Sequence, residues 1–311
     1  MQFQNADGGW PKNIKWKEIK TIKEARDIAK KQNAKSTIDN SATYTEIRLL
    51  TKSYNKTRNP SYRESALRGL KFILHGQHAS GGWRGSDVDA ITFNDNAMIG
   101  VMELLKEITQ KKTEFQWVEE STRKQCQKAL DKALRVVLNC QILVNGKKTA
   151  WCQQHDHISL KPIKARTYEL PSISGGESVK IVRYLMKIDQ PSIEIIEAIE
   201  SAVMWFRKSA INGIRIEKFE IEPVQYNNKI IKQDIAVIPD PNAKPVWARF
   251  YEIKTNRPFF CNRDGVKVYS LAEVKLERRT GYSWYNSSPH TLLEDDYPRW
   301  KQRITIEKES N

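Results

Sequence analysis

Two aspartates follow tryptophan-bearing turns at matching places in the chain. Asp39 lies in the stretch TIDN, after the DGGW turn that ends at Trp10, and Asp95 lies in TFNDN, after the SGGW turn that ends at Trp83. Each aspartate falls where a helix is expected to begin, so capping of the first helical turn is one interpretation of both. Asn40 or Asn96 can cap these helices instead, which would leave the two carboxylates free for chemistry.

Arginine is the second residue type that points to a site. Arg166 lies in KARTYELPS, and the later stretches WARFYEIKTNRPFFCNRDG and ERRTGYSWY place Arg249, Arg263, Arg278 and Arg279 among aromatic residues. A guanidinium group binds carboxylates in a planar, bidentate manner, and aromatic rings offer flat faces to sugars. The alternative for the later arginines is a packed cover in which they pair with its own acids. For Arg166 the alternative is an ordinary surface arginine.

A zinc site is not predicted from the segment 151–178, although it contains Cys152, His155, Asp156 and His157. The spacing of these residues matches no standard zinc pattern, and a second pair of ligands is missing from the segment. The four cysteines of the chain are widely separated, so a disulfide framework is not expected either.

The formal net charge of +15 indicates an anionic partner. Many lysines are scattered along expected helices, and no nucleic-acid recognition motif is present. No apolar run approaches the length of a membrane-spanning helix, and the N-terminus does not look like a signal peptide. The charge alone leaves nucleic acid, an anionic membrane surface and an acidic polymer open as partners, and the scattered lysines weigh against nucleic acid.

Six helical patterns form three successive pairs. Apolar residues recur with helical spacing in residues 42–56 and 61–75, 97–111 and 121–143, and 176–188 and 192–209. Turns at Trp10, Trp83 and Trp151 precede the three pairs. We predict a mainly α fold, an α/α toroid of three helical hairpins, in a single domain over residues 1–311. After residue 210 we expect a small β-hairpin and an irregular, aromatic-rich segment.

Eight motifs in the same order resemble the family 10 polysaccharide lyases, which are pectate lyases of α/α toroid fold. They are DGGWPKN, STIDNSATYTEIRLL, SGGW, ITFNDNAM, WCQQHD, KARTYELPSISGGESVKIVRYLM, ARFYEIKTNRPFFCNRDG and ERRTGYSWY. The resemblance implies calcium-assisted β-elimination of polygalacturonate, giving products with an unsaturated uronate end. It also implies a secreted or periplasmic enzyme, often with additional N-terminal residues. On the same ground we expect polygalacturonate as the partner, with no nucleic acid and no membrane, and we expect a monomer.

The same resemblance suggests a role for individual residues. Asp39 and Asp95 match acids near the catalytic calcium, and Arg166 matches the arginine proposed as catalytic base. Arg249, Arg263 and one of Arg278 or Arg279 match the residues that bind substrate carboxylates. A base role is chemically demanding, since arginine is protonated far above neutral pH.

One loop departs from the family pattern. After the second Gly-Gly-Trp the family usually has a proline and an aromatic-containing loop, whereas this chain reads SGGWRGSDVDAITFNDN. Subsites on that side are therefore expected to be weaker or tuned to another polyuronate, and a non-catalytic binder of acidic polysaccharide is the alternative function. Because every principal acid and arginine is retained, we predict an active enzyme.

Overall fold

The computed structural model describes residues 1–15, 18–31 and 34–309. The chain divides into two compact units. Unit 1 contains residues 1–139 and 155–160, and unit 2 contains residues 140–154 and the chain from residue 161 onward. That the whole chain forms one domain stays a prediction.

Unit 1 is built on two helix pairs. Its helices are α1 (Ile22–Lys31), α2 (Tyr44–Thr57), α3 (Pro60–His75), α4 (Ala97–Thr109) and α5 (Glu120–Asn139), and strand β1 is Ile91–Thr92. Helix α2 packs on α3, and α4 packs on α5. Helix α4 is apolar around most of its circumference and buries nine of its 13 residues, so it forms the centre of the unit.

The Gly-Gly-Trp turns have a common structural cause. Gly8 and Gly81 have φ angles of 93° and 113°, in the left-handed region that glycine tolerates. A β-carbon at Gly8 would lie 2.4 Å from the carbonyl oxygen of Arg68 in α3, and one at Gly81 would lie 2.6 Å from that of Lys132 in α5. The turns therefore need glycine because they press against the backbone of the second helix of each pair. The tryptophans that follow are buried.

A glutamine side chain binds each of these turns, and this repeated residue was not predicted from the sequence. The side-chain amide of Gln4 donates to the carbonyl oxygens of Gly8 and Ser65, and that of Gln77 donates to those of Gly81 and Ala129. In unit 2, Gln141 donates in the same way to Thr149 and Ala198. Each amide thus joins a turn to a helix backbone, which supports the interpretation of three related repeats.

Unit 2 combines one helix pair with several sheets. Its helices are α6 (Glu177–Met186), α7 (Ile193–Lys208), α8 (Leu276–Thr280), α9 (Ser288–Thr291) and α10 (Tyr297–Glu309).

The strands of unit 2 are short. Strands β2 (Leu143–Val144) and β3 (Lys147–Lys148) pair with each other, and β4 (Gln154–His155) has one residue in each unit. Strands β5 (Ile173–Ser174), β9 (Phe250–Tyr251), β10 (Pro258–Cys261) and β11 (Lys267–Val268) form an antiparallel sheet in the order β11-β10-β9-β5. Strand β8 (Trp247–Ala248) pairs with β12 (Tyr285–Asn286).

A long hairpin leaves the body of unit 2. Strands β6 (Ile214–Tyr226) and β7 (Lys229–Pro239) pair over their whole length around the Asn227-Asn228 turn, with a shift of register between Glu220 and Val224. The hairpin confirms the sequence prediction, but it is larger than the small element expected. Among its side chains Phe219, Val224 and Ile230 are exposed.

The predicted fold class is wrong. The chain is 45% helix and 17% strand, with strands in several sheets, so it is not clearly an α/α toroid of three hairpins. The six predicted helices are present as α2 to α7. The error lies in the aromatic-rich segment after residue 243, which was expected to be irregular. Its strands are two to four residues long, too short to show an alternating pattern in the sequence, and one of them, β9, pairs with the distant β5.

No helix in the described part of the chain combines the length and the apolar character needed to cross a bilayer.

Candidate active site

The two predicted acids lie on adjacent turns of unit 1. Asp39 and Asp95 belong to the 3₁₀ turns Asp39–Ser41 and Asn94–Asn96, which pack against each other. Each turn contains two successive residues with positive φ, Asn40 and Ser41 in the first and Asp95 and Asn96 in the second. Such conformations are uncommon for residues other than glycine and concentrate at functional sites. The repeat therefore places two carboxylates on neighbouring, conformationally constrained turns.

Neither aspartate caps a helix, and the capping assigned to the asparagines is wrong. Helix α2 begins after Thr43 and α4 after Asn96, and neither of these side chains accepts a capping hydrogen bond. Asn40 donates instead to the side-chain oxygen of Asn13, at 3.0 Å. The left-handed residues between each aspartate and its helix move both side chains out of the position needed for capping.

Asp39 is buried and already paired. Its Oδ2 accepts hydrogen bonds from Lys12 Nζ at 2.7 Å and from Ser86 Oγ at 2.5 Å, and its Oδ1 accepts one from the Asn40 amide at 3.1 Å. Burial by itself raises the pKa of a carboxyl group, but the hydrogen bonds from Lys12 and Ser86 outweigh it and lower the pKa of Asp39. Asp39 is therefore an anion at all pH values near neutrality.

Asp95 is exposed and less constrained. Its Oδ2 accepts a hydrogen bond from the Asn94 amide at 3.1 Å. The two turns together offer only oxygen ligands on acidic and amide side chains, which is the donor chemistry that calcium prefers. The carboxylates of Asp39 and Asp95 therefore fit a hard cation such as calcium. Lys12 would compete with such a cation for Oδ2 of Asp39.

The predicted arginines of unit 2 gather around two tyrosines. The guanidinium carbons of Arg166, Arg263 and Arg278 lie 5.1, 5.6 and 4.6 Å from the ring centre of Tyr168. Those of Arg166, Arg249 and Arg278 lie 5.8, 4.3 and 5.2 Å from the ring centre of Tyr282. We call Arg166, Arg249, Arg263 and Arg278 the arginine cluster. The aromatic faces stabilise cations that would otherwise repel one another.

Arg166 forms a bidentate ion pair with Glu169. Its Nε donates to Oε2 at 2.9 Å and its Nη2 donates to Oε1. Tyr282 also donates to Oε1, at 2.7 Å. The hydrogen bonds to the Glu169 carboxylate raise the pKa of Arg166 above its usual value, although partial burial acts in the opposite direction. In this arrangement Arg166 is a cation.

Arg249 is paired with a buried glutamate. Its Nη2 donates to Oε1 of Glu177 at 2.9 Å, and the same oxygen accepts from Gln153 Nε2 at 2.9 Å. Ser174 donates to the other carboxylate oxygen. Burial would raise the pKa of Glu177, but the charge of Arg249 and these hydrogen bonds lower it. Glu177 thus fixes Arg249 from one side, with Tyr282 on the other.

The three remaining arginines differ in their surroundings. Arg263 is exposed and forms a bidentate pair with Glu277, at 3.0 and 2.7 Å. Arg278 is buried, and its Nη2 donates to the carbonyl oxygen of Gly281 at 2.5 Å. Both line a cavity of about 820 Å³ whose other wall includes Lys229–Gln233 of the hairpin. Arg279 lies outside the cluster.

Arg279 fastens the hairpin to the body of unit 2. Its Nε and Nη2 donate to the two carboxylate oxygens of Asp234 in β7, at 2.7 and 2.6 Å, and its Nη1 donates to the Val274 carbonyl oxygen at 2.6 Å. All of its donor nitrogens thus have partners within the protein. Of the two neighbouring arginines in α8, Arg278 is the better candidate for a role in substrate binding.

Several partners of these residues were not chosen from the sequence, namely Lys12, Ser86, Glu169 and Glu177. Three of them lie inside quoted motifs: Lys12 in DGGWPKN, Glu169 in KARTYELPS and Glu177 in the GGES turn. Because Glu169 lies only three residues after Arg166, the sequence could have indicated an ion pair between them. Ser86 lies in the loop that departs from the family, so no motif pointed to it.

Comparisons with known proteins agree on the class of this protein. The sequence profile of the pectic acid lyase family matches residues 4–293. The solved family 10 polysaccharide lyase from Cellvibrio cellulosa is 31% identical, with a TM-score of 0.78, covering 94% of this chain and 87% of that one. A mutant of that lyase in complex with trigalacturonic acid is 30% identical, with a TM-score of 0.78, covering 94% of this chain and 88% of that one. A search of curated proteins found no match.

The protein is a polysaccharide lyase. The chain belongs to the pectic acid lyase family, and its activity is that of a pectate lyase.

Proposed function

We propose that this protein cleaves polygalacturonate by β-elimination with the assistance of calcium, giving oligogalacturonates with an unsaturated end. The observation that carries the proposal is the arginine cluster, in which four cations are held on two tyrosine rings by three glutamates. A related lyase is known in complex with trigalacturonic acid, a chain of carboxylate-bearing sugars. The cluster has the charge and the donor geometry that such a chain requires.

Asp39 and Asp95 are the proposed calcium ligands. Calcium, when bound, would neutralise the substrate carboxylate beside C5 and make the C5 proton more acidic. Asp95 offers an exposed carboxylate, and Asp39 is held as an anion by its hydrogen bonds. Lys12 neutralises Asp39 when no other cation is near, so it keeps this buried carboxylate from being left uncompensated.

Arg249, Arg263 and Arg278 are proposed to bind the carboxylates of the substrate. Arg249 is fixed between Glu177 and Tyr282, and a group held in this way loses little conformational entropy on binding. Arg263 and Arg278 line the cavity beside the hairpin, where Lys229 and Lys232 add positive charge. Arg279 is proposed to act only by positioning the hairpin.

Arg166 is the proposed catalytic residue, as the base that removes the C5 proton. To do so it must first lose a proton that Glu169 stabilises, because the ion pair raises the pKa of Arg166. A high working pH, or a second cation that displaces the guanidinium from Glu169, would provide the neutral form. The ion pair therefore predicts activity that increases toward alkaline pH.

A single assay separates this function from a non-catalytic binder. The protein is mixed with polygalacturonate over a calcium titration, with a chelator control, and the ultraviolet absorbance of the unsaturated uronate is followed. We expect the absorbance to rise only when calcium is present. Retardation of the protein in a pectate-containing gel without any absorbance change up to alkaline pH would instead indicate the binding protein.

Two further expectations rest on the family resemblance. We expect the natural protein to be secreted or periplasmic, and we expect a monomer. Size-exclusion chromatography with light scattering tests the expected monomer, which should give the chain mass of 36.1 kDa.

A further inference from the structure

Three residues from two segments of unit 1 meet in a group that the proposed reaction does not use. His78 follows helix α3, Asp89 lies in the loop after Trp83, and His157 lies in the segment 155–160. One ligand atom from each lies within 4.8 Å of the others. In the described ranges 1–15, 18–31 and 34–309, this is the only group of three or more histidine, cysteine or acidic side chains with that spacing.

The spacing of the ligand atoms is close to that of a metal site. Nε2 of His78 lies 3.4 Å from Oδ1 of Asp89, and Nε2 of His157 lies 3.9 Å from Oδ2. The imidazole rings are stacked, with centres 4.2 Å apart and planes inclined by 9°. Ligands at about 2.0–2.1 Å from a tetrahedral zinc ion are separated by roughly 3.3 Å. To bind one ion, the ligand atoms would have to close from within 4.8 Å of one another to about 3.3 Å, and at least one ring would have to turn out of the stack so that both in-plane lone pairs face the ion.

His78 supplies a second, independent observation. Its Nε2 is buried and has no hydrogen-bond partner, which is costly for a polar atom. A metal ion at this position would satisfy the orphaned nitrogen.

The contacts do not form a hydrogen-bonded network that would explain the group without an ion. Asp89 is 58% exposed, and Arg84 Nη1 is 3.7 Å from its Oδ1, beyond hydrogen-bond length. Imidazole nitrogen favours zinc and its neighbours in the transition series, whereas calcium takes oxygen ligands.

We propose that His78, Asp89 and His157 bind one divalent transition-metal ion of the zinc type, with a fourth position left for water. The ion would join the connection between α3 and β1, which contains the segment where the chain departs from the family pattern, to the segment 155–160. Ser86 in that connection donates to Asp39. The ion would thus brace the connection that holds this aspartate.

The test measures zinc binding to tag-free protein stripped with a chelator. Isothermal titration with zinc chloride is expected to give one equivalent, and cobalt chloride to give the visible absorption of a tetrahedral site. Asp89→Ala and His157→Gln should each weaken zinc binding at least tenfold, since even indirect partners of a metal contribute about 10–100-fold. Both residues are more exposed than His78, so these variants are expected to fold, which circular dichroism verifies.

Two control variants sharpen the result. His75→Gln removes an exposed histidine at the end of α3 and should leave zinc binding unchanged. Arg84→Gln removes a competing cation and should strengthen it. The proposal is overturned if zinc does not bind, or if the wild type, Asp89→Ala and His157→Gln bind it equally. It is also overturned if calcium displaces the zinc ion at comparable concentration, because the site would then be an oxygen-ligand site.

Discussion

At the scale of single residues, the ion pair between Arg166 and Glu169 decides how the proposed base can work. The carboxylate raises the pKa of Arg166, so Glu169→Gln should lower it and increase the neutral fraction at any given pH. If Arg166 is the base, the rise of kcat with pH moves to lower pH in this variant. The measurement is the pH profile of kcat on polygalacturonate at saturating calcium.

A second variant controls for the loss of a carboxylate that pairs with an arginine of the cluster. Glu277→Gln removes the corresponding partner of Arg263, which is not proposed to transfer a proton, and should leave the position of the pH profile unchanged. An unshifted profile in Glu169→Gln would argue that Arg166 acts as a cation throughout the reaction.

At the scale of secondary-structure elements, helix α8 presents two neighbouring arginines with different tasks. Arg279→Ala should lower the free energy of unfolding by about 1–3 kcal/mol, because it breaks a bidentate pair whose side chains are each 16% exposed. It should leave kcat close to the wild-type value. Arg278→Ala should instead raise KM for polygalacturonate, because it lines the cavity beside the hairpin.

Denaturant unfolding and steady-state kinetics on the two variants test this division. Asp234→Ala should destabilise the protein as Arg279→Ala does, and the double variant should be little worse than either single one. A large rise in KM for Arg279→Ala, with normal stability, would reassign substrate binding to Arg279.

The sequence predicts some of these elements and not others, for physical reasons. Helices α2 to α7 carry a periodic apolar stripe, and the Gly-Gly-Trp turns need glycine at Gly8 and Gly81, so both are visible in one sequence. The sheet β11-β10-β9-β5 is not visible, because its pairing depends on residues that are far apart in the chain. The arginine cluster could be listed residue by residue, but its arrangement on Tyr168 and Tyr282 depends on that same sheet.

At the scale of the whole molecule, the net charge of +15 predicts how the protein finds its substrate. Electrostatic steering toward a polyanion is screened by salt, with a Debye length of about 10 Å at 0.1 M. KM for polygalacturonate should therefore rise several-fold between about 0.02 M and about 0.2 M sodium chloride, while kcat changes little. Potassium chloride at equal ionic strength is the control for a specific effect of sodium. A KM that does not change with salt concentration would contradict the prediction.

The most direct test of the central claim compares the wild type with Arg166→Ala on polygalacturonate. The account predicts that the wild type, with calcium, releases products with the ultraviolet absorbance of an unsaturated uronate. Arg166→Ala should lose about 10²–10⁴-fold in kcat, the usual contribution of a general base, while it still binds pectate in an affinity gel. Near-normal turnover by Arg166→Ala would contradict the role of this residue, and products from the wild type whose new non-reducing ends are saturated would contradict β-elimination itself.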